Sequence, residues 1–168
     1  MAENLKTTKY NDGTPIPQIT DNLEWRDYNT AAWCWYDNDS ASYDSIYGKL
    51  YNYYVVTELN SKNVCPIGWH VPTDSEWTIL REFLESNGFE NKQGYALASE
   101  YIWDGIDQYG FNGLPGGQRS GYSNNIGQLG VWYGSTGGYY YYIWSNVDLL
   151  HHNNHSKSIG NSVRCVKG

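Results

Sequence analysis

Apolar positions along this chain recur at helical spacing in one place above all. Trp77, Leu80, Phe83 and Leu84 form a single stripe, preceded by Thr73-Asp74-Ser75-Glu76. That tetrapeptide has the form of a capping box, with the Thr73 hydroxyl placed to accept the Glu76 amide and the Glu76 carboxylate placed to reach back. The pattern predicts an amphipathic helix of about three turns, entered from an extended, proline-bounded segment, Cys65 to Pro72. Gly88 is positioned to end it in the left-handed region. A second, shorter helix is expected at Asp21 to Asn29 behind an Asp cap. Residues 1–20, with Asp12-Gly13, Pro15 and Pro17, read as a short edge strand near Leu5 and a turn-rich loop. Ala31 to Tyr36 reads as a buried strand ended by Asp37-Asn38-Asp39. Tyr47 to Thr57 has Leu50, Tyr53, Tyr54 and Thr57 at helical spacing, though its Tyr and Val content favours a strand; helix is the reading adopted.

From Tyr101 onward the helical period disappears. Glycines and aromatics alternate through Gly110 to Gly117, with a turn at Gly116-Gly117, and strand-like pieces follow at Gly130–Ser135, Tyr139–Asp148 and Ser162–Lys167. Helices first and short strands afterwards indicate an α+β domain with a small twisted antiparallel sheet. The chain has 168 residues, a length that suits one domain spanning 1–168.

Composition changes this picture in one respect. The chain carries 17 Tyr and 8 Trp against 3 Phe. Such a number of amphipathic rings exceeds what one core of this size needs, so part of them is expected on a binding surface. The formal charge of −7 argues against nucleic acid or an anionic membrane as partner. No apolar run is long enough to span a bilayer, and Met1 to Asn4 show no signal-peptide pattern. Cys34, Cys65 and Cys165 lie far apart with no C-x-x-C pair, which disfavours zinc. One long-range disulfide with a spare thiol, or three buried thiols, remain open at this point.

Candidate chemistry is sparse. His70 and Glu76 could form an acid–base pair, but the capping box accounts for Glu76. His151, His152 and His155 form a possible metal set, yet adjacent residues on a strand point to opposite faces. Trp144-Ser145-Asn146-Val147-Asp148 partly echoes a calcium-dependent sugar site, without the Glu-Pro or Gln-Pro loop such a site requires. No catalytic residue, metal or cofactor is assigned. The aromatic run is the best lead. Trp132, Tyr133, Tyr139, Tyr141, Trp144, Asn146, Asp148, His151 and Asn153 form the expected ligand-binding patch, rigid rings beside adaptable polar groups.

Five stretches, in order and covering nearly the whole chain, resemble the Fibrobacter succinogenes major paralogous domain of bacterial surface proteins. They are Met1 to Thr7, Tyr47-Gly48-Lys49-Leu50-Tyr51-Asn52, Cys65 to Trp77, Gly110 to Arg119, and Ser162-Val163-Arg164-Cys165-Val166-Lys167. The capped helix start, the Gly-Gly-x-Arg segment and the final Val-Arg-Cys strand are also similar to the sulfatase-modifying-factor superfamily. The resemblance implies a C-type-lectin-like fold with two main helices, long loops and adjacent termini. It also implies a Cys65–Cys165 bridge and an extracellular or cell-surface location. The oxidising relatives use two cysteines near the chain end; here only Cys165 lies there, which speaks against that activity. The expected function is a non-catalytic, monomeric module that binds a protein or glycan. Alternatives are a hypervariable receptor-binding protein diversified by a retroelement, as on a phage tail, and a structural or assembly domain of a larger surface protein.

Overall fold

A computed structural model describes residues 2–145 and 148–168. Its longest helix is the one the capping box specifies. This helix, α4, runs Asp74–Leu84; the Thr73 hydroxyl accepts from the Glu76 amide at 3.2 Å, and Glu76 Oε2 accepts from the Thr73 amide at 2.8 Å. Satisfying amide groups that the first turn leaves without partners is worth about 1 kcal/mol at such a cap. A wider turn, Glu85–Phe89, follows, in which Gly88 takes φ +92°. Trp77 and Leu84 are buried, whereas Phe83 stands 45% exposed against Tyr109.

Four further helices are short. Asp21 accepts from the amides of Leu23 and Glu24 and so starts α1, Asn22–Asp27. Asp39 accepts from the Ser42 amide and starts α2, Ser40–Tyr47, while α3 is Tyr53–Val56 and α5 is Gln93–Leu97. The strands are β1 Trp33–Cys34, β2 Leu50–Tyr51, β3 Trp69–His70, β4 Gly116–Ser120, β5 Tyr122–Ile126, β6 Leu129–Tyr133, β7 Tyr139–Trp144, β8 His151–Asn154 and β9 Val166–Lys167. They pair antiparallel as β1–β2, β3–β9, β4–β5 and the three-stranded β6–β7–β8.

The architecture is thus mixed, with several small antiparallel sheets and five helices among the described residues, where one small sheet and two main helices were expected. The Tyr47–Thr57 stretch divides into β2 and α3, because Tyr51 bonds Asn161 in both directions and holds that point extended. Ala31 to Tyr36 contributes only a two-residue strand. Leu5 belongs to no strand, although its amide reaches Val163 O at 2.8 Å. Gly116 and Gly117 open β4 instead of forming a turn. At Gly117, φ is +65° and a Cβ would lie 2.5 Å from Asn124 O, so the strand pair closes there only around glycine.

Cys65 and Cys165 are bridged, tying the chain end to the segment that enters α4; Cys34 is free and buried. Two buried arginines replace regular structure where the chain is irregular. Arg119 donates to the carbonyls of Ile19, Thr20 and Gly121 and to the side chains of Asn22 and Asn38, with its guanidinium 4.9 Å from the Trp25 ring. Arg164 donates to Asn4 Oδ1 and to the carbonyls of Phe111 and Asn112. Arg164 thereby brings the two ends of the chain side by side.

Candidate ligand-binding site

The β6–β7–β8 sheet runs from a fully buried strand to an exposed edge. All five residues of β6 are buried, because the sheet is covered there on both faces. In β7 alternate residues point to opposite faces, and burial follows that alternation in its second half. Most of β8 is exposed.

Register assigns the faces. Trp132, Tyr141 and His152 lie opposite one another across the three strands, as do Tyr133, Tyr140 and Asn153, and Val131, Tyr142 and His151. The first row faces α4. Tyr141 stacks on Trp77 with centroids 4.7 Å apart and planes 12° apart, and its hydroxyl donates to the Asp74 carboxylate. Trp132 donates its indole N–H to Asn4 Oδ1 at 2.9 Å. On the other face, the Tyr133 hydroxyl donates to Ile159 O at 2.6 Å, and its ring packs 5.6 Å from Tyr53.

Trp132, Tyr133 and Tyr141 are therefore interior residues, 0%, 0% and 2% exposed, and the expectation that they contact a ligand is corrected. Each ring fills space against another ring, and each polar tip is satisfied internally, which leaves nothing to present. Tyr139, Trp144 and His151 are half-buried, and Asp148 and Asn153 are exposed. Asn146 lies outside the described residues.

These remaining positions do not form one patch. Trp144 and Asp148 line a small hollow of about 70 Å³ beside Tyr95 and Asp104. Tyr139, His151 and Asn153 sit instead at the β7–β8 edge. There the structure adds Tyr140 and Tyr142, and makes ring partners of His152 and His155, which the sequence offers only as part of a possible metal set. Tyr142 stacks on His151, centroids 5.0 Å apart and planes 19° apart. Tyr140 stacks on His155 at 4.0 Å, and Tyr139 lies 6.1 Å from His152. The His155 ring is bracketed by Tyr133 as well, and burial lowers the pKa of its imidazole, favouring the neutral ring. Burial correspondingly raises the Tyr140 hydroxyl. A period-two reading of Tyr139 to Trp144 identifies two alternating sets, and only contact with Trp77 decides which set turns inward.

The other reactive side chains are engaged or buried. His70 Nε2 lies 2.8 Å from Glu76 Oε1, while Glu76 Oε2 serves the helix cap. Cys165 is in the disulfide, and burial pushes the Cys34 thiol up to about 11. Among the described residues no three His, Cys, Asp or Glu side chains gather to hold a metal ion, and no helix is long and apolar enough to cross a membrane.

No curated protein and no solved structure matches the chain. The Fibrobacter succinogenes major domain model matches residues 1–167, spanning the capped helix, both bridged cysteines and the aromatic sheet. The chain belongs to the Fibrobacter succinogenes major domain family.

Proposed function

We propose that the protein is a non-catalytic recognition module, displayed outside the cell, that holds a protein ligand along the β7–β8 edge. The observation that carries this reading is the row of Tyr–His stacks at the edge: Tyr142 on His151 and Tyr140 on His155, beside the exposed Asn153. Rings already held in place lose little entropy on binding, and Asn and His add adaptable hydrogen bonds. The buried half of the same sheet, braced by Trp77 and Tyr141, keeps the presenting half rigid. A protein ligand is favoured over a glycan because one face of Tyr142 and of Tyr140 is already taken by imidazole, leaving less free ring face for sugar stacking. The disulfide supports an oxidising, extracytoplasmic setting.

The assembly-domain reading draws on one specific observation, the interior position of Trp132, Tyr133 and Tyr141. A surface-protein array and a glycan array, each probed with the wild type and with Tyr142→Ser and Asn153→Arg, separate the readings. Recognition predicts a protein hit weakened at least about tenfold by either variant, with thermal stability unchanged. Hits that ignore both variants, or none on either array, would favour assembly. A glycan hit lost in both variants would keep the site and correct the ligand.

A further inference from the structure

The largely apolar cavity between α4 and the end of the chain lies apart from the β7–β8 edge and shares no residue with the proposed patch. Its volume is about 250 Å³, and its walls include Trp77, Leu80, Phe111 and Val166. Trp77 and Phe111 meet edge to face at 6.1 Å, so two of these walls are aromatic rings.

Arg164 also lines this cavity. Its side chain is buried, its guanidinium lies 4.3 Å from the Phe111 ring centre, and its three hydrogen bonds all go to neutral oxygens. A guanidinium has five N–H groups, so two remain beyond those three bonds. Asp107 and Glu3 act on it only through space, and neither forms an ion pair with it. Burial lowers its pKa to about 9. A buried cation without an anion is costly, and the usual remedy is a counter-charge. Lys167, at the same cavity, has no ion pair among the described residues. Glu76 is the one carboxylate on the lining, and both its oxygens are committed to His70 and Thr73.

We propose that this cavity is a binding site for a small monocarboxylate that carries an aromatic ring, with the ring against Trp77, Leu80 and Phe111 and the carboxylate toward Arg164. The guanidinium fork matches a planar carboxylate, and the apolar walls match a ring. A hydrated dianion such as phosphate would meet the Arg164 guanidinium and Lys167, but also the Glu76 carboxylate and mostly apolar walls that cannot replace its water.

The test titrates the full domain with phenylacetate, phenylacetamide, acetate and inorganic phosphate, followed by amide and indole NMR shifts. Phenylacetate is expected to move the Trp77 indole and the Leu80 and Val166 amides with Kd below about 1 mM, and phenylacetamide to bind at least about tenfold more weakly. Acetate and phosphate are expected to leave those signals in place. Leu80→Trp fills the cavity from a half-buried helix position and is expected to abolish binding without unfolding the domain. Arg164→Lys tests the fork directly, at some risk to folding; the neutral amide and Leu80→Trp do not carry that risk. Equal binding of amide and acid, binding that survives Leu80→Trp, or no shift up to about 10 mM phenylacetate would each overturn the proposal.

Discussion

Replacing Cys65 and Cys165 together by alanine opens a loop whose ends are 100 residues apart in sequence. In the chain-entropy account, a bridge of that span lowers the freedom of the unfolded chain by an amount worth about 4.7 kcal/mol at 25 °C. Both cysteines are buried, at 0% and 2% exposure, so the lost sulfur atoms add a smaller packing penalty of the same sign. For a chain of this size, 1 kcal/mol corresponds to roughly 2–4 °C, so Tm is expected to fall by about 10–19 °C. Urea unfolding followed by near-ultraviolet dichroism provides the assay. Because the bridge acts mainly on the unfolded state, the variant's urea slope m is expected to rise as that state expands. Thiol labelling supplies the control: the native wild type is expected to show no reactive thiol, and the denatured protein one, Cys34. A loss below about 1.5 kcal/mol with unchanged m would refute the reasoning, since it would mean the unfolded chain is not held by this bridge.

Thr73→Ala is expected to cost about 1 kcal/mol in chemical denaturation, because the Glu76 amide loses its acceptor; an unchanged midpoint would show that the cap contributes nothing. Acid is expected to destabilise the fold in two overlapping steps. Burial lowers the His155 pKa, so the unfolded chain takes up that proton first, and this contribution, complete above about pH 6.5, is lost as pH falls. Burial works to raise the Glu76 carboxyl, but the Thr73 and His70 hydrogen bonds outweigh it, and the net shift is downward. Its contribution is present above the ordinary carboxylate range and disappears as pH drops through the folded value. Urea midpoints measured between pH 7.5 and about 3 should therefore decline, and His155→Gln should flatten the upper part; a wild-type profile flat over that whole range would contradict both assignments.

What could be read in advance was what local chemistry decides. The capping box, the Trp77 stripe and Gly88 specify α4 without help from the rest of the chain, and the structure places that helix as expected. The bridge between Cys65 and Cys165 followed from resemblance, and it is present. The divided stretch around Asn52 was not legible, because its extended half depends on Asn161, far along the chain. Strands β4 and β5 were hidden for a similar reason: Gly116-Gly117 has the composition of a turn but lies in a ladder. The candidate site was legible as a region and not as a residue set. Alternation along β7 is visible in sequence, but the facing partner that makes Tyr141 interior and Tyr142 half-exposed is a helix more than fifty residues earlier.

Three of the five bonds Arg119 makes, and two of the three Arg164 makes, end on main-chain carbonyls. Such anchors are indifferent to which side chain the anchored residue carries. The exposed Thr20 can therefore exchange its side chain and still keep its segment on the same path, whereas Gly121, at φ +96°, and Phe111, whose ring lies 4.3 Å from the Arg164 guanidinium, are held by backbone conformation and packing as well. The exchange that the fold cannot tolerate is at the arginines themselves, since one ammonium cannot reach several separated carbonyls at once. Loop identity and loop path are in this way placed under separate control.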